Sequence, residues 1–140
     1  MHRRHLPILA LLPLVAGCAA ISDAVSPDPN RQPVRVVFFN EDSDTLDEAA
    51  RAIVRGAADV AKGFSEIRVN VFGYAGPAGG AAFNRALSDA RARHVATLLR
   101  QYGVPSDRVF VLARGPVPFE AAPVESRRVE IRMTTQTAAP

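Results

Sequence analysis

The 140-residue chain carries 17 Lys and Arg side chains against 14 Asp and Glu, a formal net charge of +3. Arg3 and Arg4 lie in an N-terminal stretch that we expect to be removed, which leaves 15 basic side chains against 14 acidic ones. A nucleic-acid-binding domain normally concentrates far more Lys and Arg on one face, so the composition argues against a nucleic-acid partner.

The N-terminus has the pattern of an export signal. Basic residues in "MHRRH" precede an apolar run, "LPILALLPLVAG", which ends in small residues before Cys18. The run is shorter than the roughly 20 residues that a transmembrane helix needs. Cys18 is the only cysteine in the sequence, so it cannot close an internal disulfide.

Val15–Cys18, "VAGC", resembles a bacterial lipobox. This predicts that residues 1–17 are a lipoprotein signal peptide and that acyl chains on Cys18 anchor the protein in a membrane. Ala19 after the cysteine resembles the sorting pattern of outer-membrane lipoproteins, unlike an aspartate at that position. The alternative is an ordinary signal cut near this site, with Cys18 discarded or left free.

The remaining chain divides into three parts by composition. Residues 18–32 are small, polar and Pro-containing without periodicity, and we expect a lipidated cysteine followed by a flexible tether. Residues 33–134 hold the regular patterns of one domain. Residues 135–140 are expected to be a disordered tail.

The first two elements are a strand and a helix. "PVRVVFF", Pro33–Phe39, has strand composition. A helix is predicted over Thr45–Gly63, with Thr45 and Glu48 at capping-box spacing. Its apolar stripe is formed by Leu46, Ala50, Ile53, Ala57, Val60 and Phe64.

Three further strands and a second helix follow. Glu66–Tyr74 alternates, which predicts a half-buried strand with Asn70 on its solvent face. A glycine-rich loop then leads into a helix that stops near Gly103, and Asp107–Gly115 and Ser126–Thr134 have strand composition. The order β-α-β-α-β-loop-β predicts an α+β two-layer sandwich, a mixed sheet with both helices on one face.

Asn84 and Arg91 are unusual because they fall on the apolar face of the second helix. They are seven residues apart, so two helical turns stack them next to the glycine-rich loop. One interpretation is a structural arginine that extends past the sheet edge or pairs with Asp89 or Glu130. The other is a positive pocket for a small carboxylate ligand.

Several motifs resemble the OmpA-like domain, a peptidoglycan-binding module of bacterial envelope proteins. "FFNEDSDTLDEAA" resembles the first strand and helix start of that family, and "VFGYAG" stands where the family has a strand followed by "GHTD". "FNRALSDARARHV" is similar to "YN-x-x-LS-x-x-RA-x-x-V", and "SRRVEI" to the terminal "NRRVEI". The resemblance covers roughly residues 34–133.

The resemblance implies a site for the zwitterionic end of meso-diaminopimelate in the peptide stem, with an arginine for the carboxylate and an aspartate for the ammonium. The arginine corresponds to Arg91 and the asparagine to Asn84, while the terminal arginine is Arg127 or Arg128. The aspartate position is occupied by Gly76 and the threonine before it by Ala75. Glu120 or Glu125, in the loop before the last strand, are candidates for the missing acid.

Two functions remain open. The first is a non-catalytic outer-membrane lipoprotein that faces the periplasm and binds peptidoglycan. The second is a degenerate domain that has lost this binding and serves as a scaffold for envelope protein partners. His94 is the only histidine outside the signal, which disfavours an enzyme or a metal site, and the glycine spacing disfavours a nucleotide cofactor.

Overall fold

The computed structural model describes residues 28–118 and 123–135. The predicted signal, Cys18, most of the predicted tether, Glu120 and residues 136–140 lie outside these ranges. Within the described ranges, no helix combines the length and apolar character needed to cross a membrane.

Four strands form one mixed sheet. The elements are β1 (Arg35–Phe38), α1 (Glu48–Gly63), β2 (Arg68–Ala75), α2 (Ala81–Gln101), β3 (Val109–Pro116), the single turn α3 (Pro123–Ser126) and β4 (Arg128–Thr134). The strand order is β1-β4-β2-β3, with β2 and β3 parallel and the other two pairs antiparallel. The predicted α+β fold with a mixed sheet is confirmed.

Both helices cover the same face of the sheet and share one hydrophobic core. α1 contributes alanines and Val54, and α2 contributes Val95, Leu98 and Leu99. The sheet contributes inward-facing residues such as Val71 and Ile131, which are paired across β2 and β4. The small alanines of α1 allow this helix to lie close to its neighbours.

The start and the buried face of α1 differ from the sequence prediction. The helix begins at Glu48, and its N-cap is Asp47, whose side chain accepts a hydrogen bond from the backbone N of Ala50 at 2.7 Å. The predicted capping box on Thr45 is therefore wrong, because an acid nearer the first turn satisfies the free amides. Val54 is fully buried, whereas Ile53 is 37% exposed, since one residue rotates the side chain by about 100°.

The sheet face opposite the helices is covered by arginines stacked on aromatic rings. Arg114 and Arg132 both lie over Phe72, Arg68 lies over Phe110, and Arg128 lies over Tyr74. Asn70, which was predicted to face solvent, is buried on this side of β2. Long arginine stems and flat guanidinium groups cover polar and aromatic residues that would otherwise be wet.

Glu130 sits among these arginines in β4. Its carboxylate accepts hydrogen bonds from Arg128 at 2.8 Å and from Arg132 at 2.6 Å. Burial acts to raise the pKa of Glu130, but the hydrogen bonds and charges of the two arginines outweigh it and lower the pKa. Glu130 is thus paired with two arginines on the sheet face away from the helices.

The N-terminal chain meets the domain at one end of the sheet. Asn30 Oδ1 accepts hydrogen bonds from the backbone N of Thr135 at 3.3 Å and from its hydroxyl at 2.8 Å. Asn30 belongs to a short 3-10 turn, Pro29–Arg31, within the segment predicted as tether. From this end β1 runs to the opposite end of the sheet, where Asn40 follows.

Candidate functional site

A narrow cleft lies at the end of the sheet where β1 and β2 finish. In the described part of the chain, its lining residues are Glu41, Asp42, Gly76, Ala78, Asn84, Leu87, Arg91 and Arg127. They come from the β1–α1 loop, the β2–α2 loop, the first half of α2 and the residue before β4. β1 and β2 are each antiparallel to β4, so they run parallel to one another and bring their following loops to the same end.

The cleft is tight. Its volume is about 30 Å³, room for about one or two water molecules. A ligand larger than that must displace part of the wall. Residues 77–80 of the β2–α2 loop are exposed, and Ala78 among them lines the cleft.

Arg91 is fully buried, at 0% exposure, beneath the β1–α1 loop. Its Nε donates to the carbonyl of Ser43 at 2.8 Å, and its Nη2 donates to the carbonyl of Asn40 at 2.9 Å. Its Nη1 donates to the carbonyl of Tyr74 at 3.3 Å, and the guanidinium lies 5.2 Å from the centre of the Phe39 ring. Arg91 therefore fastens the β1–α1 loop to the end of β2.

The prediction that Arg91 pairs with Asp89 or Glu130 is wrong. Asp89 pairs with Arg93, and Glu130 pairs with Arg128 and Arg132. Backbone carbonyls take their place, which satisfies a buried guanidinium without a second buried charge.

Charges near the cleft act on Arg91 in opposite directions. Burial lowers the pKa of Arg91, and the neighbouring Arg127 lowers it further. Asp42 and Asp44 act to raise it. Asp42 and Asp44, both in the β1–α1 loop, thus favour the charged form of Arg91.

Asn84 is buried and anchors the opposite wall. Its Nδ2 donates to the carbonyl of Ala78 at 2.7 Å. Gly79 beside it has φ of 90°, a left-handed conformation that glycine adopts without steric cost. The amide of Asn84 therefore sets the shape of the loop that contains Gly76.

The terminal arginine of the cleft is Arg127, not Arg128. Arg127 lines the cleft, and its Nε donates to the carbonyl of Phe39 at 3.3 Å. Arg128 points to the other face, because side chains alternate along a strand, and it binds Glu130 there.

Two other predicted positions lie outside the cleft. Ala75 is completely buried and its side chain is absent from the lining, although its carbonyl accepts a hydrogen bond from Val117 N. Glu125, offered as a replacement acid, does not line the cleft either. The acids that do line it, Glu41 and Asp42, were missed by the sequence analysis, although parallel β1 and β2 would have indicated their position.

A larger surface depression, about 680 Å³, lies between α2 and the edge strand β3. It is shallow and is lined by Ala81, Ala82, Arg85, Ala86, Asp89, Arg93 and Ala113. None of the predicted site residues is among them.

Comparison with known protein families gives a match over most of the described chain. The OmpA family model matches residues 38–131. The chain belongs to the OmpA family. The matched range contains every residue that lines the cleft.

Two relatives match the chain by sequence. Probable lipoprotein YiaD of Escherichia coli K12 is 35% identical over 104 residues, which cover 70% of this chain and 48% of YiaD. Outer membrane protein 40 of Porphyromonas gingivalis is 34% identical over 101 residues, which cover 71% of this chain and 26% of that protein. The chain therefore spans about half, or less, of the length of these relatives.

Solved structures share the fold. The peptidoglycan-associated lipoprotein from Burkholderia pseudomallei superposes with a TM-score of 0.67 at 21% identity, covering 79% of this chain and 98% of that one. The C-terminal domain of Helicobacter pylori MotB gives a TM-score of 0.65 at 21% identity, covering 72% of this chain and 84% of that one. At this level of identity the likeness establishes the fold.

Proposed function

We propose that this protein is a non-catalytic lipoprotein of the outer membrane that binds the peptide stem of peptidoglycan and so links that membrane to the cell wall. The observation that carries the proposal is the convergence of Gly76, Asn84, Arg91 and Arg127 on one cleft. These positions correspond to residues of the family motif, and they come from three separate segments of the chain.

The two ends of the domain suit a connecting role. The N-terminal chain meets the domain beside Thr135, at the end where β1 begins. The cleft lies beyond the other end of β1. A lipid anchor on Cys18 and a cell-wall ligand in the cleft would therefore approach the domain from opposite sides.

The names of relatives support the same role. One structural neighbour is a peptidoglycan-associated lipoprotein, one relative is a probable lipoprotein, and another is an outer membrane protein. From these we infer the compartment and the lipid anchor for this chain.

A scaffold for an envelope protein partner is the second candidate. It is favoured by Gly76, which offers no carboxylate, and by the engagement of Arg91 with three backbone carbonyls. Under this interpretation the cleft residues only hold the loops in place.

Co-sedimentation with purified diaminopimelate-type sacculi separates the two candidates. We expect the full-length chain, purified in detergent, to sediment with sacculi. Arg127→Gln should lower its affinity about 10- to 150-fold, because a hydrogen bond to a charged group contributes about 1.5–3 kcal/mol.

Arg132→Gln is the matched control. It also removes one positive charge, but from a half-exposed side chain on the sheet face away from the helices, so binding should be unchanged. If the unchanged chain stays in the supernatant at every sacculus concentration, the peptidoglycan proposal is wrong and the scaffold interpretation replaces it.

A further inference from the structure

The cleft is lined by side chains of both charges. Of the lining residues that the structure describes, Arg91 and Arg127 are the cations and Glu41 and Asp42 are the carboxylates. With Gly76 on the β2–α2 loop, that loop contributes no charge to the cleft. The acids instead come from the β1–α1 loop, on the other wall.

Arg91 holds these two acids in place. Its hydrogen bonds to the carbonyls of Asn40 and Ser43 fix the residues on either side of the Glu41–Asp42 pair. The guanidinium is fully buried, so the loop is pinned from inside the domain. Asp42 adopts φ of 49°, a left-handed conformation that Asp tolerates better than most residues, and this completes the turn.

The charges of the cleft match a zwitterion. Two guanidinium groups and two carboxylates balance each other, so a ligand with one carboxylate and one ammonium keeps the site neutral. A plain carboxylate would leave the acids facing it, and like charges at short range lower affinity.

We infer that Glu41 and Asp42 form the ammonium-binding side of the cleft, with Arg91 as their positioning residue, so that the cleft selects a free amino-acid end over a plain carboxylate. The inference rests on the proposed function and adds the residues that replace the missing carboxylate at Gly76. The carboxylate of the ligand meets Arg127, and its ammonium meets the β1–α1 loop.

The test compares two soluble stem peptides that end in meso-diaminopimelate, one with a free amino group at that end and one with the group acetylated. Binding to the full-length chain in detergent is measured by calorimetry. We expect acetylation to lower affinity about 10- to 150-fold, the range for a hydrogen bond to a charged group.

In the double variant Glu41→Gln with Asp42→Asn, the affinity for the free-amine peptide should fall by the same factor. The variant should then bind the two peptides equally. Both acids are exposed, so the folded state should be retained, which a urea unfolding curve checks. Asp59→Asn with Glu66→Gln removes two exposed acids at the opposite end of the domain and should leave the discrimination intact. Adding Gly76→Asp to the first double variant should restore it, because a carboxylate returns to the cleft.

Two adverse outcomes are distinguishable. If Glu41→Gln with Asp42→Asn discriminates the peptides as strongly as the unchanged chain, the inference is overturned while sacculus binding still stands. If the unchanged chain binds neither peptide nor sacculi, the proposed function and the inference both fail.

Discussion

Arg91 is a buried arginine whose donors are occupied by the protein backbone. A guanidinium without exposure is costly unless its donors are satisfied, and here three backbone carbonyls satisfy them. The helical periodicity predicted the burial of Arg91 correctly. It could not reveal the acceptors. Every residue has a backbone carbonyl, so the sequence does not show which carbonyls accept hydrogen bonds from Arg91.

Arg91→Ala should therefore destabilise the whole domain. Three hydrogen bonds from a charged donor are lost and a fully buried side chain is removed, so we expect a loss of about 3–5 kcal/mol in the free energy of unfolding. Urea unfolding followed by circular dichroism measures the loss. Arg93 is an exposed arginine two residues further along α2, and Arg93→Ala is the control that should hardly shift the midpoint.

Unchanged stability of Arg91→Ala would contradict this structural role of Arg91. If Arg91→Ala unfolded at the same urea concentration as the unchanged chain but no longer sedimented with sacculi, Arg91 would act on the ligand directly and its supporting role would be wrong.

At the scale of elements, α2 packs closely on the sheet because its backbone at Ser88 lies against Gly73 of β2. A Cβ added at Gly73 would overlap the carbonyl oxygen of Ser88 and lie 2.9 Å from its carbonyl carbon. The hydroxyl of Ser88 also accepts a hydrogen bond from Gly115 N at 3.1 Å. This contact between α2, β2 and β3 determines where Asn84 and Arg91 lie relative to the ends of the strands.

Gly73→Ala should push α2 away from β2, because the obstacle is helix backbone rather than a movable side chain. We expect a loss of about 3 kcal/mol or more in stability, in the upper range for overpacking. Thermal unfolding measures it. Gly63→Ala, where an added Cβ meets nothing within 4 Å, is the matched control and should be neutral or slightly stabilising.

A Gly73→Ala variant as stable as Gly63→Ala would contradict the close packing of α2 on β2. The sequence indicated a glycine-rich loop here but not this packing. Gly73 precedes that loop, and its role depends on a helix residue fifteen positions later.

At the scale of the whole molecule, much of the architecture could be predicted. Alternating strand and helix patterns indicated the two layers, and the family motifs indicated Asn84, Arg91 and the position of Gly76. The choice between Arg127 and Arg128 needed the strand register, in which Phe38 of β1 pairs with Arg128. The acids of the cleft required the strand order, because β1 and β2 become parallel only when β4 lies between them.

Under the proposed function, a stem peptide binds in the cleft at the end of β1 and β2. Nuclear magnetic resonance of the ¹⁵N-labelled full-length chain, titrated with a soluble diaminopimelate stem peptide, tests it most directly. We expect saturable shifts of the backbone amides of Glu41, Asp42, Gly76, Asn84 and Arg127, and no shifts on the arginine-covered sheet face. Shifts confined to that sheet face, or none at saturating peptide, would contradict it.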